Sequence, residues 1–308
     1  MSSVISSNSS LPSFILMGFF GSDVNSLWTA LPLTSLYCLS VLGNNLILFI
    51  IKTDRQLWEP MYLFLWMLAA TDLGMTVSTL PSVLCVVWFD FRNINFNACM
   101  TQMFFIHTMS LMESAILVAM AFDRYIAICH PLRYASILHP LVAKTGLAAL
   151  ARGVCFQFPI PFLLKRLPYC DNKKLYHAFC FHPDVMKLAC ADTTINSTYG
   201  LVLVLSTIFV DSVCILFSYF MILKTVLSIA SKDECLKALS TCVSHICVVL
   251  VFYIPLIGLT LAHRYALNAS PLLPVLMGLA YLCLPPVLNP MIYSMNTKQI
   301  QNALRKLL

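Results

Sequence analysis

Charge is scarce in this chain. Only 13 acidic and 19 basic residues occur among 308, or 10% of the total, where a soluble domain carries roughly 25%. With 59% hydrophobic residues, the composition excludes a water-soluble globular protein and leaves a membrane protein. No internal repeat or low-complexity linker divides the chain, so one membrane domain is expected. No cysteine spacing resembles a zinc site, and no nucleophile and base stand together in a recognisable motif, which argues against an enzyme. The first 27 residues contain no Lys or Arg. They are Ser-rich and polar, without the basic region and apolar core of a cleavable signal peptide, so the first span is expected to direct insertion. The net charge of +6 comes from residues in short loops and gives no argument for nucleic acid.

What is abundant is long apolar runs. Seven reach the roughly 20 residues a helix needs to cross a bilayer: 28–51, 61–88, 98–122, 140–163, 199–223, 242–262 and 271–294. Their length and short linkers exclude a strand barrel and predict an all-α bundle of seven transmembrane helices. Lys and Arg then choose the cytoplasmic side. One side collects Lys52, Arg55, Arg124, Arg133, Lys144, Lys224, Lys232, Lys237, Lys298, Arg305 and Lys306. The other has Arg92 and Arg264, plus five in one long loop where the bias counts less. The N-terminus is therefore expected outside and the C-terminus in the cytoplasm. This gives a tail over 1–27, a membrane domain over 28–295 with a long second outer loop at about 164–198, and a cytoplasmic tail over 296–308. That last segment alternates polar and apolar residues and reads as a short helix on the inner lipid surface.

Asn8, Asn196 and Asn268 open glycosylation triplets on the expected outer side, and Asn8, on a free tail, is the favoured acceptor. Of the 13 cysteines, Cys99, Cys170, Cys180 and Cys190 fall on that side. Two disulfides are expected there, with three pairings open.

Ionisable residues inside spans are costly and default to function. The block 120–129 places Asp123-Arg124-Tyr125 at the inner end of span three, where the pair can neutralise itself or be pulled apart. A charged cap on an ordinary span is the plainer reading. Asp72 and Glu113 lie deep in apolar spans and must be paired, coordinated or protonated. Asp211 and Arg152 are further intramembrane charges to which the sequence assigns no partner. Phe104, His107 and Leu111 share a helix face with Ser110 beside it, about 25 Å from Arg124 for His107; ordinary packing explains such a stripe as well. Arg264 closes span six with Thr260 one turn earlier. Its planar fork suits a carboxylate in a dry pocket, against the alternative of an Arg snorkelling to headgroups.

Several motifs together resemble the rhodopsin-like G-protein-coupled receptors, and more narrowly the olfactory receptors. They are Gly43-Asn44, Glu59-Pro60-Met61-Tyr62, the stretch from Leu68 to Leu73, the 120–129 block and Ser218-Tyr219. Lys237-Ala238-Leu239-Ser240-Thr241-Cys242 and the run from Pro286 to Tyr293 complete the set. Phe122 and the segment from Asp184 to Cys190 resemble the fish-like class I branch, and His263-Arg264 its family-51 group. Trp58, where the family usually has His, is a mild departure, and Tyr253 in place of the general Trp is itself the olfactory pattern. Span seven lacks Lys, which removes a retinal Schiff base.

The resemblance implies a small odorant, often a carboxylic acid, bound in the outer half. Arg264, Thr260, His182, His107, Phe104, Ser110 and Leu111 are its candidate contacts. It implies a switch at Asp123, Arg124, Tyr125, Tyr219, Tyr253 and Tyr293 that admits a stimulatory G protein and raises cyclic AMP. It pairs Cys99 with Cys180 and Cys170 with Cys190, and points to the plasma membrane of olfactory cilia. No organic cofactor is expected; Asp72, Glu113, Asn44 and Asn289 are candidate holders of a sodium ion, the alternative being a pair of protonated carboxyls in a hydrogen-bond network. Other readings are a ligand that is an alcohol, ester or steroid, or a channel or transporter, whose paired repeats and broken helices are not visible.

Overall fold

The computed structural model describes residues 12–18, 26–170, 172–227, 232–265 and 272–307; Asn8 and Asn268 lie outside them. Proline and polar caps set the helix ends. Pro60 opens α2 (Pro60–Phe89) at a position where a missing N–H costs nothing. Asp90 closes it in the left-handed conformation, φ 51°, with its N–H returned to the Cys85 carbonyl. The Asn95 side chain accepts from the Ala98 N–H at 2.7 Å and caps α3 (Phe96–Cys129).

Seven helices are long and apolar enough to cross a membrane among the described residues. Span one is α1 (Ser26–Thr53), and spans two and three are α2 and α3. Span four is α4 (Tyr134–Gln157) followed by α5 (Pro159–Lys165), with Pro159 at the break. After the short α6 (His182–Lys187) come spans five, six and seven: α7 (Thr194–Leu227), α8 (Lys232–Tyr265) and α9 (Leu272–Asn296). The last helix, α10 (Lys298–Leu307), tucks Ile300 and Ala303 against the bundle and leaves Lys298, Arg305 and Lys306 exposed.

Several helices outrun their apolar stretches. Span three continues to Cys129, so Asp123, Arg124 and Tyr125 stand on its last turns, and α8 begins at Lys232, ten residues before the apolar run that starts at 242. Once nucleated, a helix gains one hydrogen bond per residue added, so its end need not coincide with the membrane boundary.

The expected long loop is a built lid. β1 (Ser13–Leu16) pairs antiparallel with β2 (Asn93–Asn95) and parallel with β3 (Lys174–Leu175), with Ser13 opposite Asn95 and Leu16 opposite Leu175. Disulfides join Cys99 to Cys180 and Cys170 to Cys190. The lid buries Phe14, Leu16, Leu175, Phe179 and Val185 in a cluster with the facing ends of the spans. A second cluster, including Ile47, Leu68, Leu117, Val248 and Tyr293, fills the opposite half. Lipid is as apolar as these side chains, so helix association there rests on close packing. At Gly153 an added Cβ would lie 2.9 Å from the Thr108 carbonyl oxygen, so spans three and four approach backbone to backbone.

Candidate functional site

Beneath the lid lies a cavity of about 390 Å³. Span three contributes His107, Ser110, Leu111 and Ser114; spans five to seven add Thr207, Phe252, Leu256, Thr260 and Tyr281; the lid adds Phe181, His182 and Lys187. Six expected contacts therefore share one cavity: Arg264, Thr260, His182, His107, Ser110 and Leu111. Phe104 is the exception and does not line it. Its ring packs edge-on against Phe105, while the lid's Phe181 packs on His107 with ring centres 5.6 Å apart, one turn deeper. A shared helix face was thus insufficient, because the lid cuts the stripe across.

Arg264 also differs from a residue in a dry pocket. It lines the cavity but is exposed, and its Nη2 donates to the Ser197 carbonyl at 3.4 Å, bridging the ends of spans six and five. Thr260 donates to the Leu256 carbonyl at 2.8 Å. Among the described lining residues the charged side chains are Lys187 and Arg264, both cations, with no carboxylate. Several polar lining atoms have no hydrogen-bond partner within the protein: His107 Nε2, Gln157 Nε2, His182 Nε2, Thr207 Oγ1 and His263 Nε2. Buried polar atoms are rarely left so. Burial pushes the His182 imidazole down to about 4, so it stays neutral at physiological pH.

The grouping around Asp184 was not foreseen from sequence. This lid residue is buried, with Oδ2 2.5 Å from His177 Nδ1 and Oδ1 3.5 Å from His263 Nδ1. Burial alone would raise its carboxyl. The His177 contact, with the charges of His177, His263 and Lys187, outweighs that and holds it below the usual carboxylate value. The acid opens the resemblance-bearing segment from Asp184 to Cys190, but its partners are 7 residues before and 79 after it in the chain.

Below the cavity floor, the two unassigned charges meet. Arg152 Nη2 donates to Asp211 Oδ2 at 2.7 Å, the Ser114 hydroxyl donates to the same oxygen, and Ser114 shares a 2.9 Å hydrogen bond with Tyr253. Tyr253 therefore belongs to this relay rather than to the far end. Deeper still, Asn289 Nδ2 donates to Asp72 Oδ2 at 3.0 Å and Glu113 Oε1 at 3.3 Å. Asn44 donates instead to the Ser40 and Pro286 carbonyls. Asp72 Oδ1, Glu113 Oε2, Asn289 Oδ1 and Asn44 Oδ1 remain without partners.

At the far end, Arg124 Nε is 3.8 Å from Asp123 Oδ2, and Tyr134 donates to Asp123 Oδ1 at 2.8 Å. The pair is closed, and both residues are buried. Tyr219 hydrogen-bonds His245 at 2.7 Å, Tyr293 donates weakly to Met120 Sδ at 3.8 Å, and Tyr125 sits 3.3 Å from His130.

Seven spans, a lidded cavity at one end and a closed Asp-Arg pair at the other define a rhodopsin-like seven-helix receptor. The fold is that of squid rhodopsin, whose crystal structure aligns with a TM-score of 0.76 at 16% identity, covering 96% of this chain and 90% of that one. The olfactory receptor family model matches residues 33–308, and the chain belongs to the olfactory receptor family. It is 53% identical to human olfactory receptor 51G2 over 96% of this chain and 95% of that protein. It is also 53% identical to mouse olfactory receptor 51E2 over 94% of this chain and 90% of that protein. The protein is thus a multi-pass membrane receptor of a class that takes small-molecule ligands and couples to G proteins.

Proposed function

We propose that this receptor recognises a small carboxylic acid in the lidded cavity and signals through a stimulatory G protein, raising cyclic AMP. The observation that carries the reading is the charge of the lining: two cations, Lys187 and Arg264, and no acid among the described residues. A carboxylate at the mouth would meet the Arg264 fork with charge-assisted hydrogen bonds, with His182 of the lid and Thr260 of span six lining the same cavity. The acid's chain would lie on Leu111, Leu256 and Phe252. In this reading the lidded end and Asn8 face outside, the Asp123–Arg124 end faces the cytoplasm, and the receptor works in olfactory cilia.

Ligand would favour the state in which Arg124 leaves Asp123 and span six swings outward, with flexing near Tyr253 and Pro255. It can do so only by binding that state more tightly. A sodium ion would oppose this. The unpartnered oxygens of Asp72, Glu113, Asn289 and Asn44 fit a hard cation's need for oxygen ligands, and the ion would supply the positive charge that two buried carboxyls lack.

Cyclic AMP in cells exposed to straight-chain acids and their matching alcohols tests the reading. Arg264→Ala should reduce acid potency about 10- to 100-fold, in line with loss of a charge-assisted contact, at equal surface level. Equal acid responses in Arg264→Ala would make Arg264 a headgroup-facing residue. Alcohol-selective responses in the native receptor would replace the acid with a neutral ligand.

A further inference from the structure

The geometry points to a transition-metal site formed by His177, Asp184 and His263, taking an ion of the zinc or copper(II) kind and clamping the lid to the end of span six. The three ligand atoms lie within 4.8 Å of one another, and all three residues are buried. The sites of the four ring nitrogens decide what is missing. His177 Nε2 is 3.2 Å from the Pro274 carbonyl oxygen. A carbonyl only accepts, so that nitrogen carries the proton. A neutral imidazole has one N–H, so Nδ1 presents a lone pair to Asp184 Oδ2, itself an acceptor, at 2.5 Å. Two acceptors approach so closely only with a shared proton between them; a metal ion in its place would part them to about 3.3 Å, from bonds of about 2.0 Å set at the tetrahedral angle.

The neighbouring histidine separates these two. Lys187 Nζ is 3.3 Å from His263 Nδ1, and an ammonium only donates, so this nitrogen also presents a lone pair. It faces Asp184 Oδ1 at 3.5 Å, and that oxygen has no hydrogen-bond partner. A proton on His177 serves one contact and Lys187 serves His263 Nδ1, but Asp184 Oδ1 is still left without a partner. A metal ion serves all three ligand atoms together.

Two imidazoles and one carboxylate suit zinc or copper(II), whereas calcium takes six to eight oxygens. The His177 N–H on a backbone carbonyl is the outer contact that orients metal-bound histidines. Three protein ligands leave a coordination position for water or an anion from the cavity, which His263 and Lys187 also line. Lys187 occupies the ground a cation would take, so the two compete.

Zinc chloride titrated into the purified full-length receptor in lipid nanodiscs, without odorant, tests the site by calorimetry and by thermal unfolding. One ion per chain and a rise of a few degrees in unfolding temperature are expected. Asp184→Asn and His263→Ala should each weaken zinc at least about tenfold, Lys187→Ala should tighten it, and His130→Ala at the opposite end should leave it unchanged. His263→Gln serves where the alanine variant does not fold. Magnesium should not bind. A native receptor that takes up no zinc would show the pair to be held by a proton alone and overturn the proposal. So would zinc binding that survives both Asp184→Asn and the His263 variant. Neither readout uses odorant or cyclic AMP, so failure here is distinct from failure of the acid reading.

Discussion

The two ends of the bundle are held by different kinds of force. At the lidded end two disulfides, a three-stranded sheet and the buried Asp184 group tie the cap to spans three, six and seven. At the other end the described ties include one ion pair at 3.8 Å, a few tyrosine hydrogen bonds to histidine, aspartate or methionine, and a Cys129–Thr225 contact between spans three and five. Covalent and ladder bonds fix a shape, whereas single polar contacts can be exchanged one at a time at modest cost. A receptor of this build keeps a constant cavity and a changeable far surface.

Substitutions at each end should break that contrast unequally. The largest effect belongs to Cys99→Ser, which frees the lid from span three across 81 residues of chain. Losing such a bond typically costs about 2–5 kcal/mol, and receptor at the cell surface, measured by surface against total immunostaining, should nearly vanish. Gly278→Ala comes next. Its Cβ would lie 2.6 Å from the His177 ring, an overpacking worth about 1–3 kcal/mol. Thermal unfolding in nanodiscs should show the loss, and a native-like curve would mean that span seven does not support the lid. The smallest change is Asp123→Asn, which takes the charge from a pair already 3.8 Å apart. Weakening the closed state by about 1 kcal/mol raises the open fraction about fivefold. Basal G-protein activation per surface receptor should rise accordingly while the unfolding temperature barely moves.

The spans were legible because a bilayer demands long apolar runs, a constraint local to each segment. The cavity was partly legible: His107, Ser110, Leu111, Thr260 and Arg264 sit on helices whose faces can be counted. What escaped was non-local. Strand β1 is four residues long and acquires meaning only from partners some 80 and 160 residues away. Arg152 and Asp211, on different spans, looked like two separate costs until the fold set them 2.7 Å apart. Phe104 satisfied the helical period and still missed the cavity, because the lid residue that closes over His107 comes from a distant segment. Arg264 was placed correctly along its helix, while its exposure depended on where Ser197 fell.

Gly153 has a mechanical consequence. The span-four backbone is seated on the Thr108 carbonyl, with the Thr108 methyl and Met112 packed beside it, so little slack remains between the two helices at that crossing. They cannot slide or roll past one another there without a hard collision, so spans three and four turn together as one stiff post. Among the described residues, the span-six glycine Gly258 faces the flexible Met277 of span seven rather than a backbone of span five. Any force generated in the cavity is then resisted on one side and yields on the other, as a door moves because its frame does not.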